Sequence, residues 1–270
     1  MLQDLHIAFI GAGMMGEAML AGLLKEELVA AGQIIATGPR EDRRSYLHER
    51  YGVRVTGDNR YAAEHADIIV FGLKPQTLPK VLPALRGAVK PEDLVLSIIA
   101  GAPISVFRDA LTHAKIVRAM PNTPAQIAEG MTVWTATDSV SEAQRGSVRT
   151  ILGALGKEHY VADEKYLDMA TALSGTGPAY CFLLLEAMVD AGVHLGFPRR
   201  VAEELVLQTM YGSTLFAMQS GKHLAELRNM VTSPGGTSAS ALRALERGGL
   251  RTVLADGVWA AYERACELGK

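Results

Sequence analysis

The chain has 270 residues, of which 49% are hydrophobic and 21% charged, so it can bury one large core or two modest ones and is not intrinsically disordered. With 27 basic against 29 acidic residues, its formal charge is -2, which excludes a general attraction to nucleic acid or to an anionic membrane. Small molecules and copies of the same chain are therefore the predicted partners.

The first residues, MLQDLHIAFIG, contain no basic segment and no small-residue cleavage site. A secretion signal would have both. No stretch approaches the roughly 20 apolar residues that cross a bilayer. Cys181 and Cys266 lie far apart in apolar surroundings, which is typical of reduced core thiols rather than of a disulfide framework. These patterns predict a soluble, cytoplasmic protein with no membrane partner.

Up to about residue 161, short strand-like runs alternate with helical stretches, and several of the runs are apolar almost throughout. The clearest predicted strands are His6–Ile10, Gln33–Thr37, Asp67–Leu73, Leu94–Ala100 and Lys115–Met120. Such an alternation predicts βαβ units and a parallel sheet covered by helices on both faces. The predicted class of this part is α/β.

A glycine-rich segment, GAGMMG at residues 11–16, follows the first predicted strand and opens a helix that runs through Leu24. Gly11 allows the tight turn, Gly13 lets the backbone approach a pyrophosphate, and Gly16 allows close packing of helix and strand. The helix N-terminus adds N–H donors and the positive end of its dipole. This context predicts an N-terminal dinucleotide-binding domain with a doubly wound, Rossmann-type sheet.

The end of the second predicted strand indicates which dinucleotide is used. An acidic residue there would bind a ribose 2′-OH and repel a 2′-phosphate, but the chain has Thr37, Gly38, Pro39 and Arg40 instead. This favours NADP(H), with Arg40, or Arg43 or Arg44 from the following helix, pairing with the phosphate. The alternative is a solvated helix start, with NAD(H) also serving as the cofactor.

From residue 163 onwards the sequence predicts helices alone. They are separated by glycine- and proline-containing segments: GTGP, GFP, SGK, SPGGTS and RGG. The chain is therefore divided into a dinucleotide-binding domain, residues 1–162, and an all-helical domain for substrate binding and dimerisation, residues 163–270.

One predicted helix, Ala179–Leu195, suggests how the protein assembles. Its only clearly polar residues are Glu186, Asp190 and His194, four residues apart on one stripe, so the helix is expected to be buried nearly all round. The stripe is either a metal site or a solvated, hydrogen-bonded edge, and the second interpretation is preferred. No metal is predicted. The apolar surface of such helices predicts burial against another subunit.

The usual catalytic motifs are missing: the seven histidines form no close pair, and there is no H-E-x-x-H, C-x-x-C or G-x-S-x-G. What the second half offers is SPGGTS at residues 233–238, ahead of a helix. Its backbone N–H and hydroxyl donors form either a cradle for a carboxylate or phosphate, or simply a capped helix start. A nicotinamide enzyme without an obvious proton donor suits a protonated imine substrate.

Six motifs in this order and spacing resemble the pyrroline-5-carboxylate reductase family: GAGMMG, GLKPQ at 72–76, RAMPNTPA at 118–125, TALSGTGPAY at 171–180, SPGGTS, and ERGGLR at 246–251. The resemblance covers essentially the whole chain. It implies NAD(P)H-dependent reduction of 1-pyrroline-5-carboxylate to L-proline, the last step of proline biosynthesis. It also implies a homodimer joined by the C-terminal helices, often within a larger ring of dimers.

The family's site residues can be carried over motif by motif. The cofactor contacts implied in this way are Ile10, Gly11, Ala12, Gly13, Met14, Met15, Thr37, Pro39, Asn59, Gly72, Leu73, Lys74, Pro75, Ile99, Ala100 and Gly101, with Met120, Asn122 and Thr123 near the nicotinamide. The implied substrate contacts are Glu164, Ser233, Gly235, Gly236, Thr237 and Ser238.

Within this resemblance, the hydroxyl of Ser238 faces the ring nitrogen, where related sequences usually carry Thr. Serine lacks the methyl group that restricts the Thr rotamer, so activity with slightly looser positioning is expected. Met230 replaces a residue that is often polar in relatives, so a polar cofactor contact is not expected there.

Three other functions are alternatives. A β-hydroxyacid dehydrogenase would carry a helical Lys followed by Asn four residues on, and none of the nine lysines is followed in this way. A broader cyclic imine reductase would not depend on the substrate carboxylate. A catalytically silent NADP-binding regulator would bind the dinucleotide without turnover.

Overall fold

The computed structural model describes Leu2 and residues 4–269. The chain divides into two compact units: residues 1–178 together with 261–270 form the first, and residues 179–260 form the second. The first contains a sheet with helices, and the second is built of helices. The predicted combination of an α/β part and a helical part is confirmed.

An eight-stranded sheet forms the centre of the first unit, with strand order β3-β2-β1-β4-β5-β6-β7-β8. The strands are β1 (Ile7–Ile10), β2 (Ile34–Thr37), β3 (Arg54–Thr56), β4 (Ile68–Phe71), β5 (Leu94–Ser97), β6 (Ile116–Met120), β7 (Gly130–Ala136) and β8 (Gly156–Tyr160). Chain order reverses between β1 and β4, which is the switch point where ligands bind at the carboxyl ends of the strands.

The five predicted strands are confirmed as β1, β2, β4, β5 and β6, with slightly shorter bounds. The predicted parallel pairing of these five strands is confirmed, whereas β7, which was not among them, pairs antiparallel with β6. Residues 121–129 between them are too few for the crossover of a dozen or more residues that a parallel pair requires. Strand β8 then returns parallel to β7.

Seven helices of the first unit precede the helical unit in sequence. They are α1 (Met14–Lys25), α2 (Glu41–Tyr51), α3 (Asn59–Glu64), α4 (Leu78–Val81), α5 (Ile104–Leu111), α6 (Glu142–Gly153) and α7 (Lys165–Ala170). Local chemistry sets several ends: Asp58 Oδ1 accepts hydrogen bonds from two amides of α3, 2.9 and 3.1 Å away, and Gly52 ends α2 with φ of 68°.

Helices pack on both faces of the sheet, as predicted. On one face the buried side chains of α1 and α6, such as Leu20 and Ile151, join the core. On the other face Phe107 of α5 meets Phe71 of β4 edge-to-face, with ring centroids 5.2 Å apart. The sheet is thereby a rigid support for the loops at its carboxyl edge.

The remaining helices are α8 (Gly177–His194), α9 (Arg199–Ser220), α10 (Leu224–Met230), α11 (Thr237–Arg247) and α12 (Leu250–Leu268). The predicted boundary at GTGP is confirmed in that α8 begins there at Gly177, but α7 is followed directly by a π-helical turn, Thr171–Gly175, that was not predicted. The resulting segment, Lys165–His194, has the length and apolar composition of a membrane span, contrary to the sequence-based expectation. The segment resembles a membrane span only in its length and its apolar composition.

The sequence predicted that helix α8 is buried nearly all round, but within the single chain it is not. Phe182 and Leu183 are 63% and 65% exposed, whereas Val189 is buried. On the polar stripe, Asp190 accepts a hydrogen bond from Arg199 at 2.7 Å, in line with the preferred interpretation. Both cysteines are free, as expected, but the expectation that they lie in the core was wrong, because Cys181 is exposed and Cys266 only half-buried.

Candidate active site

The glycine-rich loop after β1 is fixed by the ends of two neighbouring strands. The N–H of Gly11 donates to Thr37 Oγ1 at 3.1 Å, and the N–H of Ala12 donates to Thr37 O at 3.0 Å. From the other side, the N–H of Gly72 donates to Ile10 O at 3.0 Å. The loop therefore sits at the switch point, held by backbone contacts on both sides.

The glycines of this loop serve different needs. A Cβ on Gly11, whose φ is +85°, would lie 2.5 Å from Leu73 Cδ2, and one on Gly72 would lie 2.9 Å from Gly11 O. A Cβ on Gly13 would have no atom of the described chain within 4 Å. Gly11 and Gly72 thus allow two strand ends to approach, while Gly13 leaves open space beside the N-terminus of α1, where a pyrophosphate fits.

Two other predicted cofactor residues are joined to each other beside this loop. The buried hydroxyl of Thr37 donates to Asn59 Oδ1 at 2.6 Å while accepting from the Gly11 amide. Asn59 is the first residue of α3. The pair ties β2 and α3 to the loop, so these two residues shape the pocket as well as line it.

The three arginines proposed for a 2′-phosphate have different surroundings. Arg43 donates to Ala12 O at 3.3 Å and to Glu17, and Arg44 donates to Gly38 O at 2.7 Å. Arg40 is 71% exposed, and its ion-pair partner Asp42 is 3.8 Å away. Arg43 and Arg44 are thus committed to backbone carbonyls, and Arg40 has the guanidinium that a phosphate can reach.

Sequence reasoning missed the group that holds Arg43. Glu17 of α1 accepts from Tyr51 Oη at 2.8 Å and from Tyr46 Oη at 3.1 Å, besides Arg43. Burial alone would raise the pKa of Glu17, but these three donors outweigh it and lower that pKa. Burial and the Glu17 carboxylate raise the pKa of Tyr51 to about 12. Glu17 therefore stays ionised and keeps Arg43 against the glycine loop.

The loop after β5 contains the predicted cofactor residues Ile99, Ala100 and Gly101. Gly101 has φ of +69°, and a Cβ there would lie 2.6 Å from Leu268 Cβ. The end of α12 thus returns to the first unit and packs against this loop, which nothing in the sequence pattern indicated. Pro75 and Gly101, together with Leu268, line a mostly apolar cavity of about 320 Å³.

The predicted nicotinamide loop, Met120–Thr123, is tied to the π-helical turn. Asn122 Nδ2 donates to Ser174 O at 3.0 Å, and Asn122 Oδ1 accepts from the N–H of Met131 at 2.8 Å. A Cβ on Gly175 would lie 2.8 Å from Met120 Cε, so Gly175 lets the turn approach Met120. The side chain of Asn122 holds the loop in shape.

Glu164, predicted to contact the ligand, has protein partners as well. Its Oε1 accepts from Arg118 Nη1 at 3.0 Å and from the N–H of Ile104 at 2.8 Å. Arg118 also donates to Asp168 Oδ1 at 2.7 Å. These contacts leave Oε2 of Glu164 for a ligand. The sequence did contain a signal for the role of Arg118: it is a charged residue in the middle of an apolar strand, and buried charged residues are almost always paired.

In the second unit, the SPGGTS loop leads into α11. Gly235 has φ of +72°, and the N–H of Gly236 donates to Ser233 O at 3.1 Å. The first bond of the helix joins the N–H of Ser240 to Gly236 O at 3.2 Å. Among the residues that the structure describes, no side chain caps this helix, so the amides of Thr237 and Ser238 are available to an anion. This favours the cradle over the capped helix start.

The glycine-rich loop of the first unit and the SPGGTS loop of the second unit each present backbone amides at a helix N-terminus. Within Leu2 and residues 4–269, no three His, Cys, Asp or Glu residues are grouped to hold a metal ion. The donor set fits a dinucleotide at α1 and a small carboxylate at α11. An anion bound at each place would be held by N–H and hydroxyl groups.

The fold and these features define a dinucleotide-dependent oxidoreductase. Over 99% of its length the chain is 40% identical to a pyrroline-5-carboxylate reductase of Synechocystis sp., 99% of which is covered, and over 98% it is 39% identical to one of Pseudomonas aeruginosa, 97% of which is covered. The chain belongs to the pyrroline-5-carboxylate reductase family.

Family models divide the chain in a similar way. Residues 164–268 match the model for pyrroline-5-carboxylate reductase dimerisation, and residues 6–101 match that for NADP oxidoreductase, coenzyme F420-dependent. A crystal structure of Plasmodium falciparum pyrroline carboxylate reductase with NADP bound superposes with a TM-score of 0.91 at 30% identity, covering 99% of both chains. These matches give no support to the alternative functions considered from the sequence.

Proposed function

We propose that this protein reduces 1-pyrroline-5-carboxylate to L-proline with NADPH as the preferred reductant and NADH as the alternative. The observation that carries this proposal is the uncapped N-terminus of α11 at the SPGGTS loop, in a chain that matches the reductases over its full length. The substrate differs from a simple cyclic imine by its carboxylate, and a cradle for that carboxylate lets the protein distinguish the two.

The first unit supplies the cofactor site in this proposal. Amides at the N-terminus of α1 bind the pyrophosphate, Arg40 binds the 2′-phosphate, and the loop at Met120–Thr123 lies beside the nicotinamide. When bound, the reduced nicotinamide supplies the hydride for the imine carbon. The contacts of Asn122 with Ser174 and Met131 keep that loop fixed before the cofactor arrives.

The substrate carboxylate is placed on the amides of Gly236, Thr237 and Ser238, with the hydroxyl of Ser233 beside them. Ser238 Oγ orients the ring nitrogen. An alcohol is a poor acid at neutral pH, so Ser238 positions the protonated imine and is not its proton donor. Glu164 is the acidic residue proposed near the ligand, through its Oε2.

The proposal extends to assembly. Residues 163–270 form the substrate-binding and dimerisation domain, and the exposed apolar side chains of α8 and α9, such as Phe182, Leu183 and Phe216, are buried in a homodimer. The same contact accounts for the apolar composition of Lys165–His194 without a membrane. A cytoplasmic homodimer is the proposed state, and a ring of such dimers is the larger assembly that the resemblance implies.

The first test is the loss of NADPH absorbance with 1-pyrroline-5-carboxylate, compared with 1-pyrroline, which lacks the carboxylate. Turnover that requires the carboxylate is the expected result. Equal turnover of both imines would indicate a broader imine reductase. Tight NADPH binding with no turnover of either would indicate a silent nucleotide-binding regulator.

Arg40→Gln is expected to weaken NADPH binding about 10- to 100-fold and leave NADH binding unchanged, because it removes a charge-assisted contact of about 1.5–3 kcal/mol with the 2′-phosphate alone. Titration of each nucleotide by fluorescence checks this. Arg40→Lys, which keeps the charge, should lie between the two. A parallel loss of NADH affinity would mean that Arg40 shapes the loop instead of reading the phosphate.

Ser238→Ala is expected to lower kcat about 10- to 100-fold while NADPH affinity stays unchanged, since the hydroxyl orients only the imine. Ser240→Ala, on the same helix and exposed, is the matched control and should behave as the parent protein. Ser238→Thr should retain or increase kcat, because the added methyl restricts the rotamer. Loss of NADPH affinity together with kcat in Ser238→Ala would count against the orienting role.

A further inference from the structure

Arg118 is a buried charge in the middle of β6, with a side chain only 5% exposed. Two residues further on, β6 ends at Met120, where the proposed nicotinamide loop begins. A buried guanidinium is costly unless it is fully paired. The groups that pair with Arg118 therefore indicate which part of the structure this buried charge holds in place.

Both ends of the guanidinium are paired with carboxylates of one helical turn. Nη1 donates to Glu164 Oε1 at 3.0 Å, and Nη2 donates to Asp168 Oδ1 at 2.7 Å. These carboxylates stand immediately before and within α7, whose C-terminal end continues into the π-helical turn Thr171–Gly175. Arg118 thus fixes the angle at which α7 leaves the sheet.

Through Glu164 the contact reaches a third element. Glu164 Oε1 also accepts from the N–H of Ile104 at 2.8 Å, which is the first residue of α5. The residue before it, Pro103, has no side-chain group that could cap the helix. Glu164 thus replaces the cap of α5, directly after the loop Ile99–Gly101.

A second tie closes the arrangement. Asn122 Nδ2 donates to Ser174 O at 3.0 Å, so β6 and the loop after it hold the same helical segment at two points: Arg118 holds α7, and Asn122 holds the π-helical turn. The loop after β5, the loop after β6 and the turn are therefore fixed relative to one another by one planar, two-pronged cation and one amide.

We infer that Arg118 is a positioning residue for hydride transfer, acting through Glu164 and Asp168 to set the two loops that flank the nicotinamide. The inference rests on the proposed function, which places the cofactor at these loops. Arg118 itself touches neither substrate nor cofactor. Because the phosphate-binding loop after β1 is anchored separately, by Thr37 and Gly72, loss of Arg118 should disturb the nicotinamide end of the cofactor alone.

The test compares Arg118→Lys with Arg108→Lys, an exposed arginine of α5, in the full-length protein. An ammonium lacks the fixed two-pronged geometry with which the guanidinium holds both carboxylates, so Arg118→Lys should lower kcat about 10- to 100-fold and raise the primary isotope effect with 4-deuterated NADPH. NADPH affinity should change less than about threefold. The fluorescence of bound NADPH, which reports on the nicotinamide, should fall towards that of the free nucleotide. Arg108→Lys should match the parent protein in all four measurements.

Asp168→Asn supplies a second variant if Arg118→Lys does not fold, and it should show the same pattern more weakly. Parent values of kcat, isotope effect and fluorescence in a folded variant would overturn the inference. So would equal losses of kcat and NADPH affinity, which a general loss of structure produces. The fluorescence arm needs no turnover: if the parent protein binds NADPH but is inactive, the proposed function fails while the positioning role is still judged.

Discussion

Gly11→Ala is expected to weaken NADPH binding by about 100-fold or more and also to lower the thermal stability. The methyl group would lie 2.5 Å from Leu73 Cδ2 and 3.3 Å from Leu73 Cα, and φ of +85° is strained for alanine. The Leu73 side chain can rotate away from the methyl group, but the strain at φ of +85° remains, and its relief changes the loop backbone beside the pyrophosphate. Fluorescence titration with NADPH and a thermal melt measure the two effects.

Gly13→Ala is the matched control within the same loop. Its methyl group would meet no described atom within 4 Å, and its backbone has an ordinary φ of -74°. The melting temperature should therefore stay unchanged while NADPH binding weakens, because the methyl group occupies space that the pyrophosphate needs. If Gly13→Ala binds NADPH normally, the pyrophosphate does not lie at this loop.

Gly156→Ala is expected to lower the free energy of unfolding by about 4 kcal/mol and the Tm by about 10 °C. At φ of +128°, its methyl group would overlap the backbone of Gly130 on the neighbouring strand, 2.5 Å from Gly130 N. Backbone atoms of a paired strand cannot rotate away, so β7 and β8 would have to part. Urea and thermal unfolding of the variant measure the loss.

Gly146→Ala provides the comparison for this change. Gly146 lies inside α6, and its new methyl group would have no neighbour within 4 Å in the part of the chain that the structure describes. Alanine is favoured over glycine in a helix interior by up to about 1 kcal/mol, so this variant should be as stable as the parent protein or more stable. A similar destabilisation by both variants would show that the contact with Gly130 is not the cause.

The central strands could be predicted because their chemistry is uniform. IIVF and LVLS are buried on both faces, so each residue carries the same apolar signal. Edge strands lack that signal: β8 reads GKEHY, and its alternate residues are exposed. It was missed because its place in the sheet depends on pairing with β7 and on the close approach of two glycines, which are tertiary features.

The helical part shows a different limit. Gly175 and Pro178 were taken as a break, since glycine and proline usually end helices. Here proline is at the start of α8, where its missing N–H costs nothing, and Gly175 is needed for contact with Met120. The helix boundary could thus be predicted from these residues, but the π-helical turn before it could not, because that turn packs against Met120 of a distant loop.

For the candidate site, local motifs were enough to predict the loops but not the side chains that hold them. GAGMMG and SPGGTS have strict requirements of their own. The contacts of Arg43 with Glu17, and of Arg118 with Glu164, join residues 26 and 46 positions apart. No periodicity connects such distant residues, so a single sequence gave no means of pairing them.

The return of α12 to the first unit affects how the protein can be made. Residues 261–269 pack with the first unit, although residues 179–260 are synthesised in between. At ribosomal speeds this interval is on the order of ten seconds. During that time a nascent chain can form its sheet, but Gly101 and the cavity beside it lack the cover of Leu268. The cofactor domain is thus completed only after the helical unit has been synthesised, so release of the nascent chain before residue 261 would leave the loop at Gly101 uncovered.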